Sequence, residues 1–423
     1  MNPSNAASAA QTKTLSKRED KRRQLMHLAA KAMNRDGAAA VTPASLAGNT
    51  GLSRNALYHY FPDKEALLFA CYRDAAEEIL NTAQLARDTA RSSREQLTAL
   101  IEGLLDAPDH VAIFHDLDFL PTDNARSLRA LQSKGLRAMR RIIDNGIESG
   151  EFREINSATA AHVLLGISEW ARLWATWTGT AIQEPEQSSK SETRLGNAIA
   201  HCLLHGFRRE DKPLQSPPPV DYLMGNAIDV LDRQAVGAEK RFALLGVASQ
   251  LFNRRGIGAT SVDDIASAAG ATKGLIYHHF DNKEALVDAC YDRAFDIYER
   301  FADEAEGVAG TGSMQSLTWP MHLCAQAMLS RSPPLVLQAG ATKLPTRHRE
   351  RAIALAERFR RDMQCAIDAG VTDPLAMPIV DLSAGAFFWI PRWHREAAKV
   401  GPFNLGEQIV DLLCEGMLAG TDS

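Results

Sequence analysis

The sequence predicts an all-α protein built from two tandem copies of one helical unit. The segments 21–72 and 240–291 align without a gap at an offset of 219 residues, and 20 of the 52 aligned residues are identical. Apolar residues recur at helical spacing through most of the chain, and the alternation typical of strands is absent. The segment 211–219 contains four prolines, which lock φ and remove amide donors, so we expect an extended linker there.

The composition is that of a globular protein, with 423 residues, 45% hydrophobic and 23% charged. This length allows two to four domains. The net charge of −5 means that any nucleic-acid site must be a local basic patch. No apolar run approaches the ~20 residues that span a bilayer. We therefore expect no membrane contact and a cytoplasmic location, with reduced and mostly buried cysteines at positions 71, 202, 290, 324, 365 and 414.

The first copy begins after a small, polar stretch, 1–16, for which the composition predicts a disordered tail. A basic cluster, 17–23, leads into a helix that Gly37 ends. Thr42 caps a short second helix, Gly51 makes a turn, and a third helix follows. For the basic cluster, a solvated arm and a DNA contact both remain open.

The second copy repeats this plan more clearly. Gly256 ends its first helix, and Ser261 caps a short helix whose first turn carries two acids that meet the helix dipole. Gly270 makes the turn, and Thr272 caps the next helix. Helix, short helix, glycine turn and short helix is the helix-turn-helix arrangement, whose last helix can enter a major groove.

Both copies then continue with Leu/Ile-Tyr-His-x-Phe and Lys-Glu-Ala-Leu. In these features the chain resembles the TetR family of one-component transcriptional regulators over both 52-residue stretches. The resemblance implies a three-helix DNA-binding head and a larger helical body that binds an effector and dimerises. The usual member has one such unit and pairs with an identical chain, so two tethered units predict a covalent pseudo-dimer, with a further homodimer also open.

The sequence divides accordingly into a tail, two heads, two bodies and a linker. The body also repeats, because Gly166, Trp170 and Trp174 align with Gly385, Trp389 and Trp393. We expect these boundaries: tail 1–16, first head 17–68, first effector and dimerisation body 69–210, Pro-rich linker 211–236, second head 237–287 and second body 288–423.

Carried over position by position, the resemblance implies DNA contacts from the helix-turn-helix of each copy. Arginine suits guanine and asparagine suits adenine, so Arg54 and Asn55 are the candidates for base edges. The second copy has Lys273 and a glycine there, so we expect the two half-sites to differ. Tyrosines, lysines and caps are expected on phosphates. The full set is Thr42, Ser53, Arg54, Asn55, Tyr58, His59, Tyr60, Lys64, Ser261, Thr272, Lys273, Tyr277, His278, His279 and Lys283.

Tryptophans at helical spacing give each body a large aromatic stripe. Such a stripe either lines a cavity for an apolar effector or packs a core or interface, and packing is the commoner outcome. The candidate ligand-binding residues are Phe119, Trp170, Trp174, Trp389 and Trp393.

The sequence therefore predicts a ligand-responsive, sequence-specific DNA-binding regulator, a repressor released by a small hydrophobic effector. Its partners would be double-stranded operator DNA and that effector, with no cofactor. His201 and His205 have a spacing that can bind zinc, but no third ligand lies near in sequence, so we expect no metal. An enzyme is disfavoured because no nucleophile, acid pair or phosphate loop is present in the sequence. The alternative is a ligand-binding helical scaffold with degenerate heads.

Overall fold

A computed structural model of the chain describes most of its length. Within the described residues, the regular structure is helical and no β-strand is present, which confirms the all-α class. The buried side chains of both copies form one continuous apolar core. The described ranges are 3–42, 45–46, 57–106, 111–114, 117–179, 182, 195–218, 233–338, 345–393 and 402–419.

The first unit consists of a head, whose long first helix is α1, and a helical body. Short 3-10 turns follow α1 at Ala38–Ala40 and precede α4 at Leu117–Phe119. Its helices are α1 (Pro3–Asp36), α2 (Lys64–Thr89), α3 (Ser93–Leu105), α4 (Thr122–Glu148), α5 (Ser157–Thr178) and α6 (Leu195–His205).

The second unit repeats this order, with its helix-turn-helix fully described and its body helix after α12 broken into short pieces. The helices are α7 (Arg233–Arg255), α8 (Val262–Ala268), α9 (Lys273–His279), α10 (Lys283–Ala309), α11 (Met314–Leu329), α12 (Thr346–Asp368), α13 (Met377–Leu382), α14 (Ala384–Phe388), α15 (Ile390–Trp393) and α16 (Pro402–Glu415).

The ends of the chain segments differ in part from the expectations. The helix α1 begins at Pro3 and so includes residues 3–16, for which the composition predicts a disordered tail. Four alanines at 6, 7, 9 and 10 give this stretch a high helix propensity, which favours a helix although the composition is small and polar. The described linker residues, 211–218, lie outside any helix, and the Gln215 amide donates to Gln315 Oε1 of α11 at 2.8 Å.

Glycine pairs occupy two places where the units meet. Helix α5 crosses α14 at Gly166 and Gly385, where a Cβ on Gly385 would lie 2.6 Å from Trp170 Cβ and one on Gly166 3.0 Å from Trp389 Cδ1. Only glycine permits this approach of the two backbones. The helices α6 and α16 end at a second pair, Gly206 and Gly416, with φ of 71° and 70°.

Backbone hydrogen bonds join the units reciprocally beside the second glycine pair. The Phe207 amide donates to Leu413 O at 3.2 Å, and the Met417 amide donates to Leu204 O at 3.0 Å. The turns after α4 and α12 add two more, from the Arg153 amide to Met417 O and from the Asp373 amide to Phe207 O, at 2.9 and 2.8 Å. Each unit thus supplies matching donors and acceptors to the other.

One apolar segment, Pro374–Trp393, is long and apolar enough by composition to cross a membrane, with a mean hydropathy of 1.3. In the fold it is broken into α13, α14 and α15, and 67% of it is buried. Its apolar character is explained by packing against α5, because Trp170 of α5 stacks edge-on against Phe388 with ring centroids 5.1 Å apart. It is a core segment of the folded chain.

Candidate nucleic-acid interface and ligand cavity

The second helix-turn-helix is held by caps at both of its short helices. The Asp264 amide donates to Ser261 Oγ at 3.1 Å while the Asp264 carboxylate accepts from the Ser261 amide at 2.8 Å, which forms a capping box. Gly270 has φ 60° and makes the turn. The Leu275 amide then donates to Thr272 Oγ1 at 3.2 Å, which starts α9. Ser261 and Thr272 therefore fix the residues at which the two short helices begin.

The helix α9 has one buried face and one exposed face. Ile276 and the following Phe280 are buried, whereas Tyr277 is 44% exposed and His278 is exposed. A large aromatic ring left in solvent at the centre of this helix is available to a partner surface. His279 is half-buried, and burial lowers the pKa of its imidazole.

Lys273 at the start of α9 is exposed but has a partner. Its Nζ lies 2.9 Å from Asp263 Oδ2 of α8, and this hydrogen bond raises the pKa of Lys273. The pair is largely exposed on both sides, so it contributes little to stability and can exchange for a phosphate. Lys283, at the first position of α10, is half-buried.

The first copy presents a comparable surface where it is described. Tyr58 is 48% exposed, His59 is exposed and Tyr60 is half-buried. Thr42 and Ser45 bond reciprocally, the Ser45 amide donating to Thr42 Oγ1 at 3.1 Å and the Thr42 amide to Ser45 Oγ at 3.0 Å. Ser53, Arg54 and Asn55, which the sequence predicts at the start of the recognition helix, lie outside the described residues.

The basic cluster at 17–23 lies against this first surface. Arg18 donates from its guanidinium to the carbonyl of His59 at 3.4 Å, and the Arg22 guanidinium stands 4.9 Å from the centroid of the Phe61 ring. The cluster therefore adds positive charge at His59 and Phe61, close in sequence to the exposed Tyr58.

Lys64 and Phe119 meet where the two heads adjoin. Lys64 Nζ donates to Ala39 O at 2.8 Å and stands 5.6 Å from the centroid of the Phe119 ring. A Cβ on Gly258 of the second head would lie 3.0 Å from Phe119 Cζ and 3.2 Å from Ala39 Cβ. Phe119, which the sequence predicts as a ligand-binding residue, thus lies between Lys64 of the first head and Gly258 of the second.

An apolar cavity of about 140 Å³ lies inside the second body. Its walls come from α10, α11, α12 and α14, and Trp170 and Trp174 of the first unit's α5 complete it. Phe295, Tyr298, Leu355 and Phe387 are among the lining side chains. Two of the five candidate ligand residues therefore line the cavity of the opposite unit.

Charged groups near the cavity are paired. Arg360 lies 2.7 Å from the buried Asp381 carboxylate and 5.9 Å from the Trp174 ring centroid. Trp170 Nε1 donates to the Asp381 carbonyl at 2.7 Å. These contacts hold the first unit's tryptophans in the wall of the second unit's cavity.

The matching place in the first body is packed differently. There, Gly135 of α4 faces α2, and a Cβ on it would lie 3.0 Å from Ile79 Cγ2 and 3.6 Å from the Leu80 amide nitrogen of α2. The glycine lets α2 and α4 approach closely.

The tryptophans of the second unit line a polar hollow instead. Trp389 and Trp393 face His162, Glu169 and Arg392 across about 300 Å³. His162 stacks on Trp393 with centroids 4.4 Å apart, and burial lowers the pKa of His162 to about 4. Burial raises the pKa of Glu169 to about 7, against the opposing effects of the arginines at 172 and 392.

Buried asparagines fasten each head to its own body. Asn253 at the end of α7 donates to Pro334 O at 2.8 Å and accepts from the Val336 amide at 3.0 Å. These partners belong to the second junction loop, 332–338. Asn34 of α1 makes the same pair with Val111 O and the Ile113 amide, at 2.8 and 3.0 Å, in the first junction loop, 111–114.

Each junction loop also bonds to the opposite unit. Arg392 of the second body donates to Phe114 O at 3.0 Å and to Asn253 O at 3.0 Å. Trp177 of the first body donates to Gln338 O at 3.3 Å. The second loop further touches the cavity, because Leu337 lines it and Tyr298 OH reaches Leu335 O at 3.5 Å.

These junction residues are not among those predicted from the sequence, although the two asparagines can be recognised in it. Asn34 and Asn253 are identical in the aligned copies, and each lies three residues before the glycine that ends its helix. A polar residue kept in both copies at an otherwise apolar helix end indicates a buried hydrogen bond. Arg392 and Trp177 carry no such signal, because the junction loop that each one contacts, at Phe114 O and Gln338 O, belongs to the other unit.

The two histidines with metal-like spacing have protein partners. His201 Nε2 lies 2.9 Å from Asp373 Oδ2, and His205 Nε2 lies 3.1 Å from a guanidinium nitrogen of Arg94. In the described parts of the chain, no group of three or more histidine, cysteine or acidic side chains is arranged to hold a metal ion. His201 therefore serves the contact between the units, whereas His205 pairs with Arg94 within the first unit.

Comparison with known families matches both heads and the first body. The family described as "Bacterial regulatory proteins, tetR family" matches residues 25–71 and again 244–290. The chain belongs to the TetR family. A second family, "Tetracyclin repressor-like, C-terminal domain", matches residues 90–185. The chain is therefore a DNA-binding transcriptional regulator with tandem units, of a family whose members are regulators and not enzymes.

The KstR2 relatives match nearly half of this chain and nearly all of their own length, whereas TtgR matches a shorter part of both. The HTH-type transcriptional repressor KstR2 of Rhodococcus jostii (strain RHA1) is 28% identical over 212 residues, 48% of this chain and 97% of the relative. KstR2 of Mycolicibacterium smegmatis is 27% identical over 198 residues, 44% and 94% of the two chains. TtgR of Pseudomonas putida is 38% identical over 68 residues, 16% of this chain and 32% of the relative.

Solved structures give the same coverage. The TetR-family regulator PfmR from Thermus thermophilus is 24% identical with a TM-score of 0.35, and covers 42% of this chain and 94% of its own. A TetR-family regulatory protein from Rhodococcus RHA1 is 18% identical with a TM-score of 0.34, and covers 42% and 90%.

Proposed function

We propose that this chain is a ligand-released repressor that reads an operator with both heads of a single polypeptide. The observation that carries the proposal is the reciprocal packing of the two bodies, at the pairs Gly166/Gly385 and Gly206/Gly416. A body that pairs with the body of its own chain needs no second copy for two heads to be presented. The name of the matched KstR2 relatives, transcriptional repressor, supports the sign of the regulation.

The proposed DNA-contacting surface of each head is centred on its exposed tyrosine. Tyr58 and Tyr277 stand at equivalent places and are similarly exposed. Phosphate contacts from these rings, the lysines and the capped helix starts would fix the heads on the duplex, and base readout would come from the recognition-helix starts. The basic cluster at 17–23 would strengthen the first head's contact.

The proposed effector site is the apolar cavity in the second body. It is concave and apolar and has a few polar groups at its wall, which is typical of ligand sites. Its size matches a small hydrophobic molecule, because a protein cavity of roughly 150 Å³ can hold benzene. We expect the protein to act in the cytoplasm, where both operator and effector are present.

The junction loops give the effector a route to the heads. A ligand in the cavity would contact Leu337 and Tyr298. Leu337 belongs to the second junction loop, and the Tyr298 hydroxyl bonds to Leu335 O of that loop. Asn253 ties this loop to the end of α7, so a shift of the loop moves the first helix of the second head. A coupling of about 1–3 kcal/mol would change operator affinity roughly 5- to 150-fold.

Selection of bound fragments from a random DNA pool tests the proposal. We expect enriched fragments with two unlike half-sites about 34–36 Å apart, which is one helical turn. The alternative function, a ligand-binding scaffold with degenerate heads, is favoured by the internal partners of Lys64 and Lys273, which occupy two expected phosphate contacts. The scaffold predicts no enrichment, whereas the repressor predicts enriched DNA whose binding the effector weakens.

A further inference from the structure

The three tryptophans of α5 differ in one respect that concerns the cavity. Trp170 Nε1 donates to Asp381 O at 2.7 Å, and Trp177 Nε1 donates to Gln338 O at 3.3 Å. Trp174 lies between them, is 5% exposed and lines the cavity, yet no acceptor among the described residues lies within reach of its buried Nε1. A buried N–H without an acceptor is costly, so such groups call for an explanation.

The surroundings of Trp174 restrict what an acceptor can be. The cavity walls are carbon-rich, with Phe295, Leu355 and Phe387 among the lining residues. The carboxylate at the wall, Asp381, is buried and already faces Arg360 at 2.7 Å. An anionic ligand would be repelled by that carboxylate. A cationic ligand would lose its hydration without forming an ion pair in return, because Asp381 is already paired with Arg360. The walls therefore favour a neutral molecule.

Resting on the proposed effector site, we propose that its ligand is a neutral, largely apolar molecule of about one ring that carries an acceptor oxygen for Trp174 Nε1. A ketone or ester carbonyl fits this description. The cavity volume of about 140 Å³ sets the size. Because Trp170 and Trp174 belong to the first unit and the other walls to the second, the ligand lies across the contact between the units. We expect one ligand per chain at this cavity.

Two ligands of the same shape test the hydrogen bond. Acetophenone has a carbonyl oxygen at the place where α-methylstyrene has a methylene group. Each compound is titrated by calorimetry into the full-length protein without DNA. The ratio of their Kd values is measured in the wild type, in Trp174→Phe and in Trp393→Phe. The last is a matched control, because Trp393 also has a buried Nε1 without an acceptor among the described residues but does not line this cavity.

We expect the ratio to favour acetophenone in the wild type and in Trp393→Phe, and to shift about five-fold toward α-methylstyrene in Trp174→Phe, as one neutral hydrogen bond predicts. A second readout is the indole ¹⁵N–¹H spectrum, in which the Trp174 signal should move downfield with acetophenone and not with α-methylstyrene.

Two results would overturn the inference. One is an unchanged ratio in Trp174→Phe with an unmoved indole signal, and the other is no binding of either ligand to the wild type at millimolar concentration. Both are distinct from failure of the proposed function, because they are measured without DNA. A protein that binds acetophenone through Trp174 but no operator would contradict the repressor and leave this ligand assignment standing.

Discussion

The crossing of α5 and α14 allows a direct test of the contact between the units. In Gly166→Ala, the new Cβ would lie 3.0 Å from Trp389 Cδ1 and 3.1 Å from the Gly385 carbonyl carbon, and closer still to the carbonyl oxygen. Ordinary carbon contacts are about 3.5–4.0 Å. The backbone of Gly385 cannot rotate away as a side chain does, so the two helices must separate by about 0.5–1 Å.

The magnitude follows from two opposing effects. Alanine in place of glycine within a helix gains about 1 kcal/mol, whereas overpacking costs about 1–3 kcal/mol. Gly237→Ala in α7 is the matched control, because a Cβ there meets nothing within 4 Å. Both variants share the helix gain, so the difference between them isolates the cost of separating α5 from α14, about 1–3 kcal/mol.

Urea unfolding followed by tryptophan fluorescence measures this difference, since three tryptophans, Trp170, Trp174 and Trp389, lie at or near the crossing. We expect Gly166→Ala to unfold at lower urea than the wild type, and Gly237→Ala at equal or higher urea. Gly166→Ala should also bind operator more weakly, because the heads are carried by the displaced bodies. If both variants unfolded together, at or above the wild type, the close contact of the units would be refuted.

Three further predictions concern the heads and the buried acid. Asn253→Ala leaves two buried backbone groups without partners and should cost about 2–4 kcal/mol locally. In mobility-shift titrations, the effector should therefore release DNA several-fold less well from this variant than from the control Asn34→Ala. Equal release from both variants would contradict the proposed route. The Glu169 pKa is raised from 4.5 to about 7, so its contribution to stability is fully present below about pH 4.5 and is lost as pH rises through about 7. Glu169→Gln should therefore match the wild type in thermal midpoint near pH 4.5 and exceed it at pH 8, and a difference that does not depend on pH would contradict the burial argument. Changing both Tyr58 and Tyr277 to phenylalanine removes two hydroxyl groups proposed to bond to phosphates, so operator binding in a mobility-shift titration should weaken, and unchanged affinity would favour the scaffold with degenerate heads.

The sequence was sufficient for the fold class and for the placement of the second head. The gapless repeat, the cap at Ser261 and the turn glycine at 270 each act locally, so the pattern of residues contains the information that decides the structure. The exposed faces of the recognition helices follow from the same short-range rules, since helical spacing separates Ile276 from Tyr277.

The cavity depended on contacts that no local pattern reveals. Periodicity placed Trp170 and Trp174 on one face of α5 but could not show that this face enters the opposite unit. The close approach of α2 and α4 in the first body depends on Gly135, because a side chain there would meet Ile79 of α2. Phe119 is among the residues predicted to bind the ligand, and the fold places it beside Gly258 of the second head.

The mass of the operator complex shows whether a single chain supplies both of the heads that bind one operator. Native mass spectrometry of the 46.2 kDa chain with a selected two-half-site duplex counts the chains on the DNA. We expect one chain on one duplex, and a large loss of affinity when either half-site is scrambled. Two chains on that duplex, each using one head, would contradict it.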